Sequence, residues 1–133
     1  MFIYFLLIRI AALLGHRKAQ LLVRGQRNWQ QQAEARDWVW IHVSSVGEFE
    51  QARPLIEALR AREAAHHSAH TPILLTFFSP SGYELRKNYD KADKVIYLPF
   101  ATRRNARLFL DLYRPKMAVF VKYEFWPAYL RQL

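Results

Sequence analysis

From Trp38 onward, short apolar runs alternate with segments whose apolar residues recur every three or four positions. The runs at 38–43, 72–78, 94–98 and 116–121 predict β-strands. Pro72–Phe78 is apolar almost throughout, the pattern of a strand covered on both faces. Phe49–Ala65 predicts a helix with Phe49, Ala52, Ile56 and Leu59 on one face, and with Pro54 in its first turns or at a kink. Ser81–Asn88 predicts a short helix in which Ser81 and Glu84 form a capping box. Thr102 is placed to cap a helix running to Tyr113, with Ala106, Phe109, Leu110 and Tyr113 sharing a face. A further helix is expected over Trp126–Leu133, with Pro127 in its first turn. Strands alternating with helices imply βαβ units, hence an α/β fold with a mostly parallel sheet flanked by helices.

The start of the chain follows another pattern. Phe2–Leu14 is apolar apart from Arg9, and is shorter than the roughly 20 residues a bilayer-crossing helix needs. No basic region precedes this run and no clear cleavage site follows it, so a signal peptide fits poorly. Arg17, Lys18, Arg24 and Arg27 come after it. That order suits an anchor or interfacial helix whose following chain lies on the cytoplasmic side; a helix simply packed on the domain is the alternative. The expected organisation is an apolar, basic membrane-anchor helix over 1–25, a linker over 26–37 and a domain over 38–133. Residues 2–24 are expected to be helical and to stand apart from the sheet.

Composition narrows the partners. At 133 residues and 52% hydrophobic, the chain can bury one core and is not a disordered sequence. The absence of cysteine excludes disulfides and thiolate metal sites. The net charge of +9 is uneven, with six basic residues against Glu34 alone in residues 1–36. A basic excess beside an apolar helix favours anionic lipid. Nucleic acid would want basic residues interleaved with exposed aromatics, whereas most aromatics here fall in strands or on apolar helix faces. His42 is on a strand, and His66, His67 and His70 fall in an expected loop with no nearby carboxylate pattern, so no metal site is expected. Neither a G-x-G-x-x-G fingerprint nor a P-loop is present.

Candidate chemistry gathers at strand ends. Glu48 follows a small-residue turn with Ser45 and Gly47, at the carboxyl end of the first strand, where open α/β sheets take their ligands. Such a carboxylate can accept a proton from an attacking hydroxyl if burial raises its pKa. The adjacent helix start favours the charged form, so an ordinary first-turn acid is the other reading. The turn carrying Ser79, Ser81 and Gly82 precedes a helix N-terminus, a natural anion site, although capping also explains its polar residues. Arg103, Arg104 and Arg107 lie in the first turns of a helix, where the dipole disfavours cations. A phosphorylated ligand would offset that, and a solvated helix face is the alternative. Glu124 follows the fourth strand, on the same edge as Glu48 if the sheet is parallel; Tyr123, Phe125 and Trp126 beside it could equally close the domain.

These residues also carry a resemblance. His42, Ser45-Val46-Gly47-Glu48 and Arg53-Pro54-Leu55 resemble the N-terminal motif of the bacterial 3-deoxy-D-manno-octulosonic acid (Kdo) transferases. Thr76, Ser79, Ser81 and Gly82 match the family's Thr/Ser-rich turn, in the wording FFSPSGYE of Bacteroidetes-type members. Glu124, Trp126 and Pro127 match an E-x-E-x-W-P pattern whose first acid is replaced by Lys122, and Ala101 stands where a P-x-D motif has its Asp. The resemblance implies the N-terminal, Rossmann-like half of a GT-B glycosyltransferase at the cytoplasmic face of the inner membrane. The implied reaction is transfer of Kdo from CMP-Kdo to a lipid A precursor, without metal or other cofactor. Glu48 would be the general base, with Ser45, Gly47, Ser79, Ser81, Gly82, Arg103 and Glu124 meeting the acceptor. The C-terminal domain, which holds most of the donor site, would lie outside a truncated chain that is inactive alone. A non-catalytic basic module for anionic lipid surfaces is the rival; it explains the charge and the apolar helix but not the Glu48 turn.

Overall fold

The computed structural model describes residues 2–122 and 126–133. Four strands, β1 (Val39–Val43), β2 (Ile73–Phe77), β3 (Lys94–Tyr97) and β4 (Met117–Phe120), form one sheet in the order β3-β2-β1-β4. Every pairing is parallel, as the alternating pattern predicts. The helices are α1 (Phe2–Leu13), α2 (Arg17–Asn28), α3 (Val46–His66), α4 (Pro80–Arg86), α5 (Arg103–Tyr113) and α6 (Pro127–Leu130).

Both central strands are buried along their whole length because alternate side chains enter two cores. Val39, Ile41 and Val43 join Ile73, Leu75 and Phe77 against Phe49, Ala52 and Ile56 of α3. Trp40 and Leu74 point the other way, into a core with Phe109 and Tyr113 of α5 and Tyr129 of α6. The chain therefore builds outward from β1 to β3 with α3 on one face, then returns through α5 on the opposite face to place β4 on the other side of β1. That reversal makes the carboxyl ends of β1 and β4 the topological switch point, where open α/β sheets have their ligand crevice.

The expectation of a single helix standing apart from the sheet is overturned: the second half docks on it, and Ile8 in the first half packs against the same cluster. Gly15, at φ +87°, breaks the helix into α1 and α2. Leu22 of α2 is buried with Tyr97 and Phe100. The Gln26 side chain donates to the Leu98 carbonyl at 2.9 Å and accepts from the Phe100 amide at 2.8 Å. Trp29 is buried beside Phe109, and its carbonyl accepts from the Tyr113 hydroxyl at 2.6 Å. The expected boundary between residues 25 and 26 thus falls inside a helix that covers the β3 edge of the sheet. Among the described residues, no helix is long and apolar enough to cross a membrane.

Three local expectations also change. The helix after β2 starts at Pro80 with Ser79 as its N-cap residue, so Ser81 and Glu84 form no capping box. Proline suits the first helical position because the amide it lacks has no intrahelical partner there; Glu84 instead pairs with Lys87 at 2.7 Å. The last helix is a single turn, Pro127–Leu130, rather than a helix to Leu133. His66 ends α3, and His70 is not remote from carboxylates: its Nε2 lies 2.5 Å from Asp93, and its Nδ1 lies 3.6 Å from Glu63. Arg60 ties the same two acids together at 2.8 Å each. This network fastens α3 to the amino ends of β2 and β3, away from the crevice. Pro54 lies in the interior of α3, which continues past it.

Candidate functional site

β1 ends at Val43, and Ser45 in extended backbone caps α3 by accepting from the Glu48 amide at 3.3 Å. Glu48, three residues on, turns its carboxylate back and accepts from the Ser44 amide at 2.5 Å. Ser45-x-x-Glu48 is therefore a capping box whose return arm reaches one residue beyond the cap. Glu48 thus lies in the first helical turn, at the amino end of α3. Glu48 remains half-buried at the crevice rather than inside the core. Beside it Gly47 is exposed, and a Cβ there would meet nothing nearer than Ser45 Oγ at 3.9 Å. A ligand can approach the backbone there.

The turn after β2 is fastened to the same place, for the Ser79 amide donates to the Ser44 carbonyl at 2.8 Å. Ser79 and Ser81 hydroxyls lie 2.9 Å apart at the start of α4, and Ser81 is exposed. Gly82 is different: it is buried, and a Cβ on it would stand 2.8 Å from the Phe77 ring and 3.5 Å from the Val46 amide nitrogen. Its smallness lets α4 pack against the start of α3, whatever else it touches.

Beneath the turn lies a polar chain in the apolar interior. The Trp40 indole donates to Thr76 Oγ1 at 2.9 Å, and the same hydroxyl is 2.8 Å from His42 Nδ1. His42 Nε2 faces Ser44 Oγ at 3.5 Å, and the ring is flanked by Phe120 and Trp126. Burial lowers the His42 pKa to about 3, against the opposing hydrogen bond to the Thr76 backbone. The imidazole is therefore neutral across the physiological range.

The family model for 3-deoxy-D-manno-octulosonic-acid transferase (kdotransferase) matches residues 16–133. The chain belongs to this Kdo transferase family. It is 33% identical over 91 residues to the 3-deoxy-D-manno-octulosonic acid transferase of Aquifex aeolicus, a match covering 68% of this chain and 24% of that protein. The Haemophilus influenzae enzyme of the same name is 32% identical over 97 residues, covering 71% of this chain and 21% of that protein. A bifunctional glycosyltransferase/methyltransferase of Fusobacterium nucleatum is 30% identical over 100 residues, covering 73% and 15%. The matched stretch thus spans about a quarter or less of each relative's length.

Seen as a Kdo transferase domain, the structure brings the Ser45–Glu48 and Ser79–Ser81 turns together. Arg103 stands apart from them on the opposite face of the sheet, exposed at the start of α5 in a depression with Arg104, Arg107 and Gln132. The first turn of α5 holds no acidic residue, and Thr102 caps it by accepting from the Asn105 amide at 3.1 Å. Ala101 is buried against the α5 core. Lys122, two residues after β4, takes φ +59°, a left-handed conformation. Glu124 lies outside the described residues. Sequence reasoning missed the roles of Ser44 and Trp40. The S-x-x-E spacing at 45–48 was a visible signal for the first; nothing in the apolar run 38–43 marked the second.

Proposed function

We propose that this chain is the acceptor-side domain of a two-domain transferase that moves Kdo from CMP-Kdo to a lipid A precursor. Glu48 carries this reading: it is a carboxylate held in a fixed orientation by the Ser44 amide, beside the open backbone of Gly47, at the crevice where the strand order reverses. In the proposed step Glu48 takes the proton of the acceptor hydroxyl as that oxygen attacks the anomeric carbon of Kdo. A new C–O bond forms with inversion, the bond from that carbon to the CMP phosphate breaks, and CMP leaves with its electron pair. The Ser44 amide holds the carboxylate on one oxygen and leaves the other for the substrate proton. The donor is held mainly by the second domain, beyond these residues. Ser45, Ser79, Ser81 and Arg103 are acceptor contacts in this proposal, Arg103 toward a phosphate at the far side of the crevice.

The same proposal attaches the domain to the cytoplasmic face of an anionic inner membrane. Ile3, Leu6, Leu7, Ile10, Leu13 and Leu14 are all exposed, from 43% to 87%. α1 and α2 together carry Arg9, Arg17, Lys18, Arg24 and Arg27 and no acid. An apolar helix surface next to cations is the composition of an interfacial helix. The deciding experiment is transfer by the two-domain protein with Glu48→Gln, alongside this chain alone, which should transfer nothing. Vesicle binding without transfer by the two-domain parent would favour the rival lipid-binding module instead.

A further inference from the structure

His42 is the most deeply buried ionisable group beside the crevice, and the proposed transfer gives it no part. A histidine at 0% exposure, on the middle strand of a parallel sheet, is costly unless its polar atoms are satisfied. Here each ring nitrogen faces a hydroxyl, Thr76 on one side and Ser44 on the other. A neutral imidazole has one N–H and one bare nitrogen, and a hydroxyl can serve either. Thr76 is anchored in turn by the Trp40 indole, which can only donate. Phe120 and Trp126 pack edge-on to the ring, at centroid distances of 6.0 Å each, and hold it from the β4 side.

The far end of this chain is Ser44, the residue whose backbone N–H binds the Glu48 carboxylate and whose carbonyl accepts from Ser79. Ser44 therefore joins both turns of the candidate site, and its side chain rests on His42. We propose that His42 is a positioning residue: anchored by Thr76 and Trp40, it sets the place of Ser44 and through it the orientation of Glu48. This rests on the proposed transferase reading only for its effect on rate; its effect on Ser44 stands without it. The role is geometric, since the fully buried ring meets Thr76 and Ser44 rather than substrate.

Two substitutions divide the ring's functions. In His42→Asn the amide falls near the Nδ1 position and can keep the Thr76 bond, but it does not reach Ser44. In His42→Gln the amide extends to the Nε2 position and can face Ser44. Amide NMR of this chain reads the Ser44 and Glu48 signals directly. The expected result is that His42→Asn moves both signals while distant strand amides stay in place, and that His42→Gln moves them less. In the two-domain protein, His42→Asn should lower kcat with little change in the KM for donor, by up to about 10²-fold as expected for a misplaced catalytic group. His42→Gln should recover part of that loss. Ser44 and Glu48 signals unmoved in a folded His42→Asn chain would overturn the proposal. So would equal displacement in both variants, which would mark His42 as core packing alone. Should His42→Asn fail to fold, His42→Gln carries the test: small shifts confined to Ser44 and Glu48 support positioning, and large shifts spread equally over distant strand amides refute it. Normal transfer by Glu48→Gln would defeat the base assignment while leaving these signals to decide the His42 question.

Discussion

Gly25 lies flat on the ring of Tyr97: a Cβ at Gly25 would stand 2.2 Å from Tyr97 Cδ2. The ring has little room to yield, being 4% exposed and stacked on Tyr83 at 4.1 Å. Two effects oppose each other in Gly25→Ala. Helix propensity favours alanine by about 1 kcal/mol, whereas overpacking a tight contact costs about 1–3 kcal/mol. With three ring atoms inside 2.7 Å the clash should win, so the variant should melt several degrees below the parent, as a loss of about 1 kcal/mol implies at this size. A Tm equal to or above the parent's would mean that α2 does not dock on β3 in this way.

The apolar surface of α1 makes a separate prediction, because Gly15 divides it from the docked α2. Deleting residues 2–14 should abolish binding to vesicles containing anionic lipid and lower Tm only slightly, through the lost packing of Ile8. Deleting through Arg24 should also lower Tm, since it removes the buried Ala19 and Leu22. Cosedimentation with vesicles and thermal melts check both. Undiminished vesicle binding after the shorter deletion would sink the anchor.

The contrast between these two helices shows what the chain discloses and what it conceals. The strands are legible because each is a short, nearly continuous apolar run set between amphipathic segments. The docking of α2 was not legible. It depends on a missing side chain at Gly25, one amide at Gln26 and one indole at Trp29, and no continuous apolar face announces these. At the site, the position of Glu48 followed from the strand-turn-helix pattern. The pairing of His42 with Thr76 did not, because it depends on sheet register, which sets these two residues opposite each other. Two S-x-x-E signals were equivalent by spacing; Pro80, by starting α4 early, left only the one at Ser45 to form.

Acid should loosen the end of the domain opposite the crevice. Burial alone would raise the Glu63 pKa, but the Thr71 amide and the Arg60 guanidinium outweigh it and lower it to about 2. Asp93 is likewise lowered: burial opposes the shift, and the Ile73 amide, His70 and Arg60 produce it. A carboxyl group with a depressed native pKa is protonated first in the unfolded chain. Its contribution is therefore complete above the unfolded value of about 4.5 for Glu63, and is lost as pH falls from there toward 2. Glu63→Gln should accordingly lower Tm at pH 7, with the difference from the parent narrowing as the pH approaches 3. A difference independent of pH would rule out this linkage.

Glu48 has two possible employments, as a helix-capping acid and as a base, and two substitutions separate them. Ser45→Ala removes the acceptor of the Glu48 amide, and loss of such a cap costs about 0.5–2 kcal/mol. It should lower Tm and, Ser45 being a proposed acceptor contact, raise the KM for acceptor, with kcat little changed. Glu48→Gln retains a carbonyl oxygen that can accept from the Ser44 amide, so the turn should survive and Tm should change little. It cannot take a proton from an attacking hydroxyl. In the two-domain protein it should therefore keep acceptor binding while transfer falls by roughly 10²–10⁴-fold, the usual contribution of a general base. The two readouts make the assignment specific: a base gives a rate loss without a stability loss, and a cap gives the reverse. Transfer within a few-fold of the parent would leave Glu48 as a helix-terminus acid, because the capping geometry alone accounts for its hydrogen bond to Ser44.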